Sequence, residues 1–168
     1  MTAQEVIALL ELTPHPVEGG YFRETYRCSD VLPQLVLPRN PGSRSLGTAI
    51  YYLLTPVTVS AMHRLPTDEV FHFYLGDPVE MLQLWPNGEA KSLVLGSDIA
   101  RGQLVQTVVP GGIWQGSVLK PGGSFALLGA TMAPGFDYAD YVTGDRDELT
   151  RVWPEQAEAI RRRTPQMC

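Results

Sequence analysis

The chain has 168 residues, of which 44% are hydrophobic and 18% are charged, and its formal net charge is −5. This composition is typical of one globular domain and excludes a largely disordered chain. The negative charge argues against a nucleic-acid partner, which needs a concentrated basic surface, and no apolar run approaches the ~20 residues of a membrane helix.

The N-terminal segment "MTAQEVIALLEL" predicts a short amphipathic helix within residues 2–12. Its Thr2-x-x-Glu5 spacing matches a capping box, in which two side chains satisfy free backbone amides at a helix start. The segment lacks the basic start and the cleavage site of a signal peptide. Cys28 and Cys168 are isolated thiols without a C-x-x-C pair, so we expect a cytoplasmic protein. His15, between two prolines, is interpreted as a loop histidine.

Between about residues 17 and 143, Gly and Pro separate short runs that are rich in β-branched and aromatic residues. Nine or so strands at this spacing predict an all-β fold, an antiparallel sandwich or barrel. The chain then returns to helix over residues 145–163, where Asp145-x-x-Glu148 predicts another capped start. We therefore expect one domain, 1–168, with short helical ends. The runs are "YFRETYR", "TAIYYLL", "VTVSAMHR", "EVFHFYL", "VEMLQLW", "KSLVLG", "LVQTVV", "IWQGSVL" and "SFALLGATM".

Two of these runs place polar residues on apolar faces. Side chains alternate along a strand, so in "VTVSAMHR" His63 shares its face with Val57, Val59 and Ala61. In "EVFHFYL", Glu69 shares its face with two phenylalanines. A carboxylate on an apolar face needs a partner, and we predict that His63 and Glu69 form a hydrogen-bonded pair inside the barrel. A purely structural bond between them is the alternative.

The histidine at position 72 belongs to the opposite face of its strand, together with Val70 and Tyr74. By the same alternation it is predicted to face outward or to lie at a subunit contact.

The stretch "HRLPTDEVFHFYLG" resembles the first cupin motif, G-x5-H-x-H-x3,4-E-x6-G, from His63 through Glu69 to Gly76. "PGGIWQ", from Pro110 to Gln115, has the frame of the second motif, P-x-G-x2-H. Four stretches in order, from "HPVEGGYFRETYR" to "APGFDYADYVTGDRDELT", are similar to small single-domain bacterial and fungal cupins without an assigned reaction. The resemblance implies a cupin jelly roll, a double-stranded β-helix, in which both motifs meet at one pocket.

The sequence departs from the cupin pattern at its metal ligands. Val57 stands at the opening Gly, Leu65 replaces the second His of motif one, and Gln115 replaces the His of motif two. A metal, if one is present, would therefore be held only by His63, Glu69 and Gln115, a weak set because an amide is a poor neutral ligand. We expect no cofactor beyond a weakly bound divalent ion, and the pattern argues against a redox dioxygenase.

Two functions compete for this pocket. The first is metal-independent acid–base chemistry on a small polar or sugar-like substrate, in the manner of an epimerase or isomerase, with His63 and Glu69 as catalytic groups. Tyr21, Tyr51 or Tyr52 would supply an acid, and Arg23 would hold an anionic group unless it forms a surface ion pair. The second is a non-catalytic binding module for a small molecule, with polar Gln115 and aromatic walls at Phe71, Phe73 and Trp114.

The strand Tyr21–Arg27 mixes aromatic and charged residues on both of its faces, so neither face is plainly a core face. Such a mixture suits a subunit contact. We therefore predict a homodimer with this strand at or near the interface.

Overall fold

The computed structural model describes residues 1–165, so Cys168 lies outside the described residues. Within this range, thirteen strands and three α-helices follow one another. The helices are α1 (Ala3–Leu9), α2 (Arg146–Val152) and α3 (Ala157–Arg162). The strands are β1 (Thr13–Pro14), β2 (Tyr21–Arg27), β3 (Val31–Leu32), β4 (Arg44–Ser45), β5 (Thr48–Leu54), β6 (Val59–Arg64), β7 (Glu69–Gly76), β8 (Val79–Leu84), β9 (Ala90–Leu95), β10 (Gln106–Val109), β11 (Trp114–Leu119), β12 (Ala126–Met132) and β13 (Val142–Thr143).

Two antiparallel sheets form the body of the molecule. One has the strand order β1-β2-β5-β12-β7-β10 and the other has the order β13-β6-β11-β8-β9, while β3 and β4 form a separate pair. Neighbours in each sheet are often far apart in sequence, as a jelly roll requires. The nine longer strands coincide with the nine apolar runs of the sequence, and the predicted all-β jelly roll is confirmed.

The main core lies between the two sheets. Its buried members come from both inner faces and include Tyr52, Leu54, Phe71, Met81 and Leu128. Burying this apolar surface is the main favourable contribution to folding, at about 25 cal/mol per Å². The alternation along the strands places these side chains inward and leaves the outer faces to be covered by other elements.

The helices cover the outer faces of the sheets. Helix α1 begins with the predicted capping box, because Glu5 N donates to Thr2 Oγ1 at 3.2 Å and Thr2 N donates to Glu5 Oε2 at 2.7 Å. Its Val6 packs with Leu53 and Leu127 of the six-stranded sheet. Within residues 1–165, no helix is both long and apolar enough to cross a membrane.

Helices α2 and α3 cover the outer face of the five-stranded sheet. Leu149 and Ile160 pack with Met62 and Leu82 from that face. The buried Arg163 guanidinium fastens this end of the chain, donating to the carbonyl oxygens of Gly116 (3.1 Å), Ala159 (2.9 Å) and Glu80 (3.0 Å). The predicted cap of α2 is also present, since Glu148 N donates to Asp145 Oδ1 at 2.8 Å.

A β-bulge in β6 changes which residues face inward. His63 pairs with Gln115 and Ser60 with Ser117, so three steps on β6 match two steps on β11. The extra residue switches the alternation between Ser60 and His63. His63 therefore shares its inner face with Ser60, not with Val57 and Val59 as the alternation predicted. Val57 precedes the strand and is 92% exposed.

A second bulge has the same effect in β2. Glu24 pairs with Ile50, and the next paired residue of β2 is Tyr26, opposite Ala49, which leaves Thr25 as the additional residue. Phe22 and Glu24 face inward before the bulge, and Arg27 faces inward after it. Alternation from an inward-facing Tyr21 therefore assigns the wrong face to Tyr21 and Arg23, whereas Arg27 faces inward as that alternation requires only because the bulge intervenes.

Candidate functional site

A cavity of about 200 Å³ opens between the two sheets, where β5 and β7 begin and β6 and β12 end. It is smaller than the roughly 300–1,000 Å³ of pockets for drug-sized ligands, so it suits a small molecule. Its polar lining residues are His15, Glu18, Glu24, Arg27, Thr48, His63, Glu69 and Asp137. Its apolar and aromatic lining residues are Phe22, Ile50, Leu65, Ala130, Met132, Phe136 and Tyr138.

The imidazole of His63 is buried and held in one orientation. Its Nδ1 lies 2.7 Å from the carbonyl oxygen of Ala61, and its ring stacks on Tyr141 with centroids 4.8 Å apart. Because a carbonyl can only accept, Nδ1 carries a proton, and Nε2 of the neutral ring is left as the acceptor. The Ala61 carbonyl therefore sets the tautomer of His63.

Gln115 lies between His63 and Glu69. Its Nε2 is 3.2 Å from His63 Nε2 and 2.5 Å from Glu69 Oε2. One amide group thus donates to both the imidazole and the carboxyl group. Among the described residues, the predicted direct bond between His63 and Glu69 is replaced by this bridge. We refer to the three residues as the His63–Gln115–Glu69 chain.

Three atoms of this part of the molecule are buried without a hydrogen-bond partner in residues 1–165. They are Gln115 Oε1, Ser117 Oγ and the hydroxyl of Tyr141. Gln115 is only 1% exposed, so solvent does not satisfy its oxygen. A buried acceptor without a donor costs about 1–3 kcal/mol. In the His63–Gln115–Glu69 chain, the amide oxygen of Gln115 is thus left without a hydrogen bond.

Glu69 has an altered acidity in this setting. Burial raises the pKa of Glu69 to about 8, the nearby Glu18 carboxylate adds to the rise, and the hydrogen bond from Gln115 opposes it. A carboxyl group in such surroundings retains its proton at neutral pH and can donate it. His63 and Glu69 therefore present an acceptor nitrogen and an acidic proton to the same cavity.

Glu18 is a wall residue that the sequence interpretation did not single out. It accepts a hydrogen bond from Ser60 Oγ, and its carbonyl oxygen accepts from Ala61 N at 2.9 Å. The turn behind it needs glycine: Gly19 has φ of 94°, and a Cβ there would lie 2.5 Å from the Val59 carbonyl oxygen. Nothing in the stretch "HPVEGG" indicated that Glu18 faces the cavity.

His15 also lines the cavity, although it was interpreted only as a loop residue. Its Nδ1 accepts from the backbone amides of Glu18 (2.9 Å) and Val17 (3.4 Å), and its ring contacts Phe22 with centroids 4.6 Å apart. Burial lowers the pKa of His15, with nearby His63 acting in the same direction and Glu18 against it. The neutral ring forms part of the wall.

Tyr21 and Arg23, which were predicted to bind the ligand, lie on the outer side of their sheet. Tyr21 packs against the cluster under α1. Arg23 Nη1 forms an ion pair with Glu11 Oε2 at 2.8 Å, and its guanidinium lies over the ring of Tyr51. The surface ion pair was the alternative for Arg23, and it is the one observed. The assignment of Tyr21 and Arg23 to the cavity was wrong because Phe22 and Glu24, the residues that alternate with them, face the cavity.

The three predicted aromatic walls do not line the cavity. Phe71 is buried in the main core, and Phe73 packs against that core. Trp114 lies on the outer face of the five-stranded sheet, where it packs with the cluster under α2 and α3 and with the guanidinium of Arg64, 4.6 Å from its ring centroid. Trp114 faces outward because its neighbour Gln115 faces inward.

Of the tyrosines considered as acids, Tyr52 is the one inside the barrel. Its hydroxyl donates to the Gly19 carbonyl oxygen at 2.7 Å, and burial raises its pKa well above the usual range. Its proton is therefore engaged by the backbone. Tyr51 lies outside, beside Tyr74, with ring centroids 6.0 Å apart.

His72 is directed away from the cavity, as the alternation predicts. Its Nε2 lies 3.0 Å from Thr131 Oγ1 and its Nδ1 lies 3.1 Å from Gln106 Nε2. These bonds join β7 to its two neighbouring strands and give His72 a structural role.

The donor set does not fit a transition metal. No three His, Cys, Asp or Glu side chains converge on one point within residues 1–165. Gln115 presents its amide nitrogen, which has no free lone pair, to His63 and Glu69, and Leu65 contributes only an apolar surface to the cavity. Metal sites are built from lone-pair donors placed at one centre.

A buried ion pair supports the cavity rim. Arg44 Nε and Nη2 donate to the two oxygens of Asp140 at 2.8 and 2.6 Å, and Asn40 Nδ2 donates to Asp140 at 2.8 Å. Asp137 and Tyr138, which line the cavity, lie in the same short loop as Asp140. The Asn40–Arg44–Asp140 cluster thus fixes the segment that forms one side of the opening.

Two antiparallel sheets around a polar cavity define a jelly-roll protein with a small-molecule-sized pocket. Residues 4–143 match the family described as Cupin superfamily (DUF985), and the chain belongs to that family. It is 33% identical to the uncharacterized protein YML079W of Saccharomyces cerevisiae, over 94% of this chain and 83% of that protein.

Two solved structures share the whole architecture. A hypothetical protein from Leishmania major has a TM-score of 0.88 and 30% identity, covering 99% of this chain and 100% of its own. Protein SO0799 from Shewanella oneidensis has a TM-score of 0.87 and 32% identity, covering 99% of both chains. The names of these relatives state no reaction.

Proposed function

We propose that the cavity carries out metal-independent acid–base chemistry on a small polar substrate, of the kind that isomerases and epimerases perform. The observation that carries this proposal is the His63–Gln115–Glu69 chain. An imidazole with a fixed tautomer and an acceptor Nε2 lies next to a carboxyl group whose pKa is raised to about 8. Two groups whose acidities differ in this way can serve as base and acid in one site.

In this proposal His63 Nε2 removes a proton from a carbon next to a carbonyl group. Glu69 delivers its proton to the carbonyl oxygen, which gives a neutral enediol-like species. His63 then gives its proton to the neighbouring carbon, the Glu69 carboxylate takes the proton of the second enediol hydroxyl, and the isomer forms with both residues restored. Gln115 positions the pair, and stacking on Tyr141 keeps the imidazole plane fixed.

The proposal is tested by proton exchange, because this reaction incorporates solvent deuterium before net conversion is visible. The protein, dialysed against a chelator, is incubated in D₂O with a panel of small aldoses, amino sugars and hydroxy ketones. Proton NMR should show loss of the signal at the carbon next to the carbonyl, and His63→Asn and Glu69→Gln should each slow this loss at least about 100-fold. Equal exchange in His63→Asn and wild type would contradict the proposal.

Independence from metal is measured in the same samples. We expect less than one tightly held transition metal per chain after dialysis, because a single imidazole, a carboxyl group and an amide form a weak set. Stoichiometric iron, manganese or zinc by elemental analysis, together with exchange that stops on its removal, would support a metalloenzyme instead.

A binding module without chemistry is the second candidate, and one observation favours it. The acceptor Nε2 of His63 already receives a hydrogen bond from Gln115. It is therefore not free to act as a base unless a ligand displaces the amide. A protein that binds a ligand but shows no deuterium exchange with any carbonyl compound at any pH would support this candidate.

We also propose a homodimer through β2. Strand β2 pairs with β5 on one side and with β1 on the other. Within residues 1–165, β1 reaches only Tyr21 and Phe22, so the rest of this edge of β2 has free backbone groups. Tyr26, on this stretch, is 55% exposed, and an edge of this kind is a template for pairing with another chain. Light scattering should report a dimer at micromolar concentration, and a monomer there would contradict the proposal.

A further inference from the structure

The cavity has an excess of acidic groups over basic ones. Glu18 and Asp137 line it, and no Lys or Arg nitrogen of the described residues forms an ion pair with either carboxylate. Arg27 is the one cationic side chain on the described wall, and it is bound through two nitrogens to Glu24, at 2.9 and 2.7 Å. Arg27 and Arg44 also attract Asp137 at longer range, but the wall still has three carboxylates, Glu18, Glu24 and Asp137, against the single guanidinium of Arg27.

The hydrogen-bonding groups of the wall are mostly acceptors. The remaining guanidinium contacts of Arg27 go to the Phe136 carbonyl oxygen at 3.2 Å. His63 Nδ1–H is engaged by Ala61, and Nδ1 of His15 is itself an acceptor of backbone amides. Behind the wall, the fully buried Gln115 Oε1 has no donor among residues 1–165. A ligand that satisfies the carboxylates of Glu18 and Asp137 must donate hydrogen bonds to them, whereas the protonated carboxyl of Glu69 and the Nε2–H of His15 are donors on the same wall.

Aromatic rings line the same cavity beside these carboxylates. Phe22 contacts His15, His15 is 6.0 Å from Tyr138, and Phe136 is 5.0 Å from Tyr138, measured between centroids. Aromatic surfaces attract cations, and they do so most strongly when the cation leaves its water behind. Rings and unpaired carboxylates together form a surface that favours an ammonium group over a neutral or anionic one.

We infer that the cavity binds a small organic ammonium compound, with Glu18 and Asp137 as its counter-charges and the rings of Phe22, Phe136 and Tyr138 around it. This inference rests on the proposed function in one respect, which is that it concerns the same cavity. It adds the chemical class of the substrate. An ammonium group next to the reacting carbon would also stabilise the negative charge that forms there when His63 removes the proton.

Binding is measured by calorimetry at low ionic strength, because salt weakens charge-dependent affinity. The probes are choline and ethanolamine, with 3,3-dimethylbutan-1-ol as the neutral isostere of choline, and glucose and acetate as a neutral polyol and an anion. At least one of the two amines should bind. Where choline is the one that binds, it should do so at least about tenfold more tightly than the isosteric alcohol.

Two conservative substitutions test the counter-charges. Glu18→Gln keeps an oxygen that can accept from Ser60, and Asp137→Asn keeps one that can accept from Ala139 N, so the fold should be retained. Each should weaken amine binding at least about fivefold and leave the affinity for the alcohol unchanged. Glu11→Gln is the matched control, because it makes the same charge change on the outer side of the sheet.

Several outcomes would overturn the inference. The alcohol or glucose could bind as tightly as the amines, acetate could bind, or neither amine could bind in the millimolar range. Glu11→Gln could also lose as much amine affinity as Glu18→Gln and Asp137→Asn. Since calorimetry requires no turnover, amine binding together with no deuterium exchange in any carbonyl compound of the panel would reject only the acid–base proposal. Exchange on a neutral substrate without amine binding would reject only this inference.

Discussion

Two buried polar clusters in this barrel differ in how completely they are satisfied. In the Asn40–Arg44–Asp140 cluster, both carboxylate oxygens accept hydrogen bonds, and the third guanidinium nitrogen donates to the Ser43 carbonyl at 2.8 Å. In the His63–Gln115–Glu69 chain, the amide oxygen of Gln115 has no donor in the described part of the chain.

The difference separates two uses of buried polarity. A satisfied cluster holds backbone segments together, whereas a chain with a free acceptor keeps part of its bonding capacity for something that enters. The first cluster lies behind the cavity rim, whereas His63 and Glu69 of the second line the cavity with Gln115 behind them, which is consistent with one supporting role and one ligand-related role. The following predictions separate these roles.

The largest loss of stability is expected for Arg44→Met. This change leaves Asp140, which is 5% exposed, without its cation, and breaking a buried pair in this way costs about 3–5 kcal/mol. Urea unfolding measures the free energy. A loss below about 1 kcal/mol would show that the rim does not depend on this pair.

A smaller and pH-dependent change is expected for Glu69→Gln. Because the folded state raises the pKa of Glu69 from 4.5 to about 8, it holds a proton that the unfolded chain releases. Wild-type stability therefore falls as pH rises from about 4.5 through about 8, by on the order of a few kcal/mol. Glu18, His63 and Tyr141 also lie around Glu69, so the comparison between variant and wild type isolates its contribution.

In Glu69→Gln this part of the pH dependence should be absent, so the variant gains stability relative to wild type between pH 5 and pH 9. Urea midpoints at several pH values measure the gain, and Glu11→Gln serves as the exposed carboxylate for comparison. Parallel curves for wild type and Glu69→Gln would mean that Glu69 ionises at its ordinary pH.

A moderate loss is expected for Gln115→Met, which keeps the length of the side chain. It removes the amide that donates to His63 and Glu69, but it also removes the unsatisfied oxygen. The two effects oppose each other, so the cost should be about 1–2 kcal/mol. Urea unfolding at pH 7 measures this, and a cost equal to that of Arg44→Met would contradict the distinction between the clusters.

The smallest effect is expected for Arg23→Met. The ion pair of Arg23 with Glu11 is exposed to solvent, with 38% and 79% of the two side chains accessible. Exposed pairs contribute about 0–1 kcal/mol. The same unfolding measurement should show a change within this range, which makes Arg23→Met the matched control for Arg44→Met.

The fold could be predicted because the strand pattern is local. The nine longer strands follow from β-branched and aromatic runs between Gly and Pro, and the starts of α1 and α2 follow from Thr2-x-x-Glu5 and Asp145-x-x-Glu148. The inner positions of His63 and Glu69 were also predicted. For His63, however, the argument from Val57 and Val59 was wrong, because the bulge in β6 reverses the alternation.

The wall of the cavity could not be predicted in the same way. Glu18 and His15 come from a loop whose direction depends on where β2 and β6 lie in space. Tyr21 and Arg23 were chosen because they share one face of β2, but that face is the outer one. In addition, no local sequence pattern shows where the β-bulges in β2 and β6 occur. Trp114 was judged by its residue type alone, although its inward-facing neighbour Gln115 already implied the outer face.

The bulge in β6 has a consequence for insertions and deletions. Ala61, the added residue, uses both of its backbone groups at the site: its N–H donates to the Glu18 carbonyl, and its carbonyl oxygen accepts from His63 Nδ1. Deleting Ala61 would restore ordinary pairing, with Ser60 and His63 still facing inward. The imidazole would stay in the barrel, but the carbonyl that accepts from its Nδ1–H and the N–H that binds the Glu18 carbonyl would both be lost. A one-residue length change in a strand can thus convert a histidine that only fills a barrel into one with a defined tautomer.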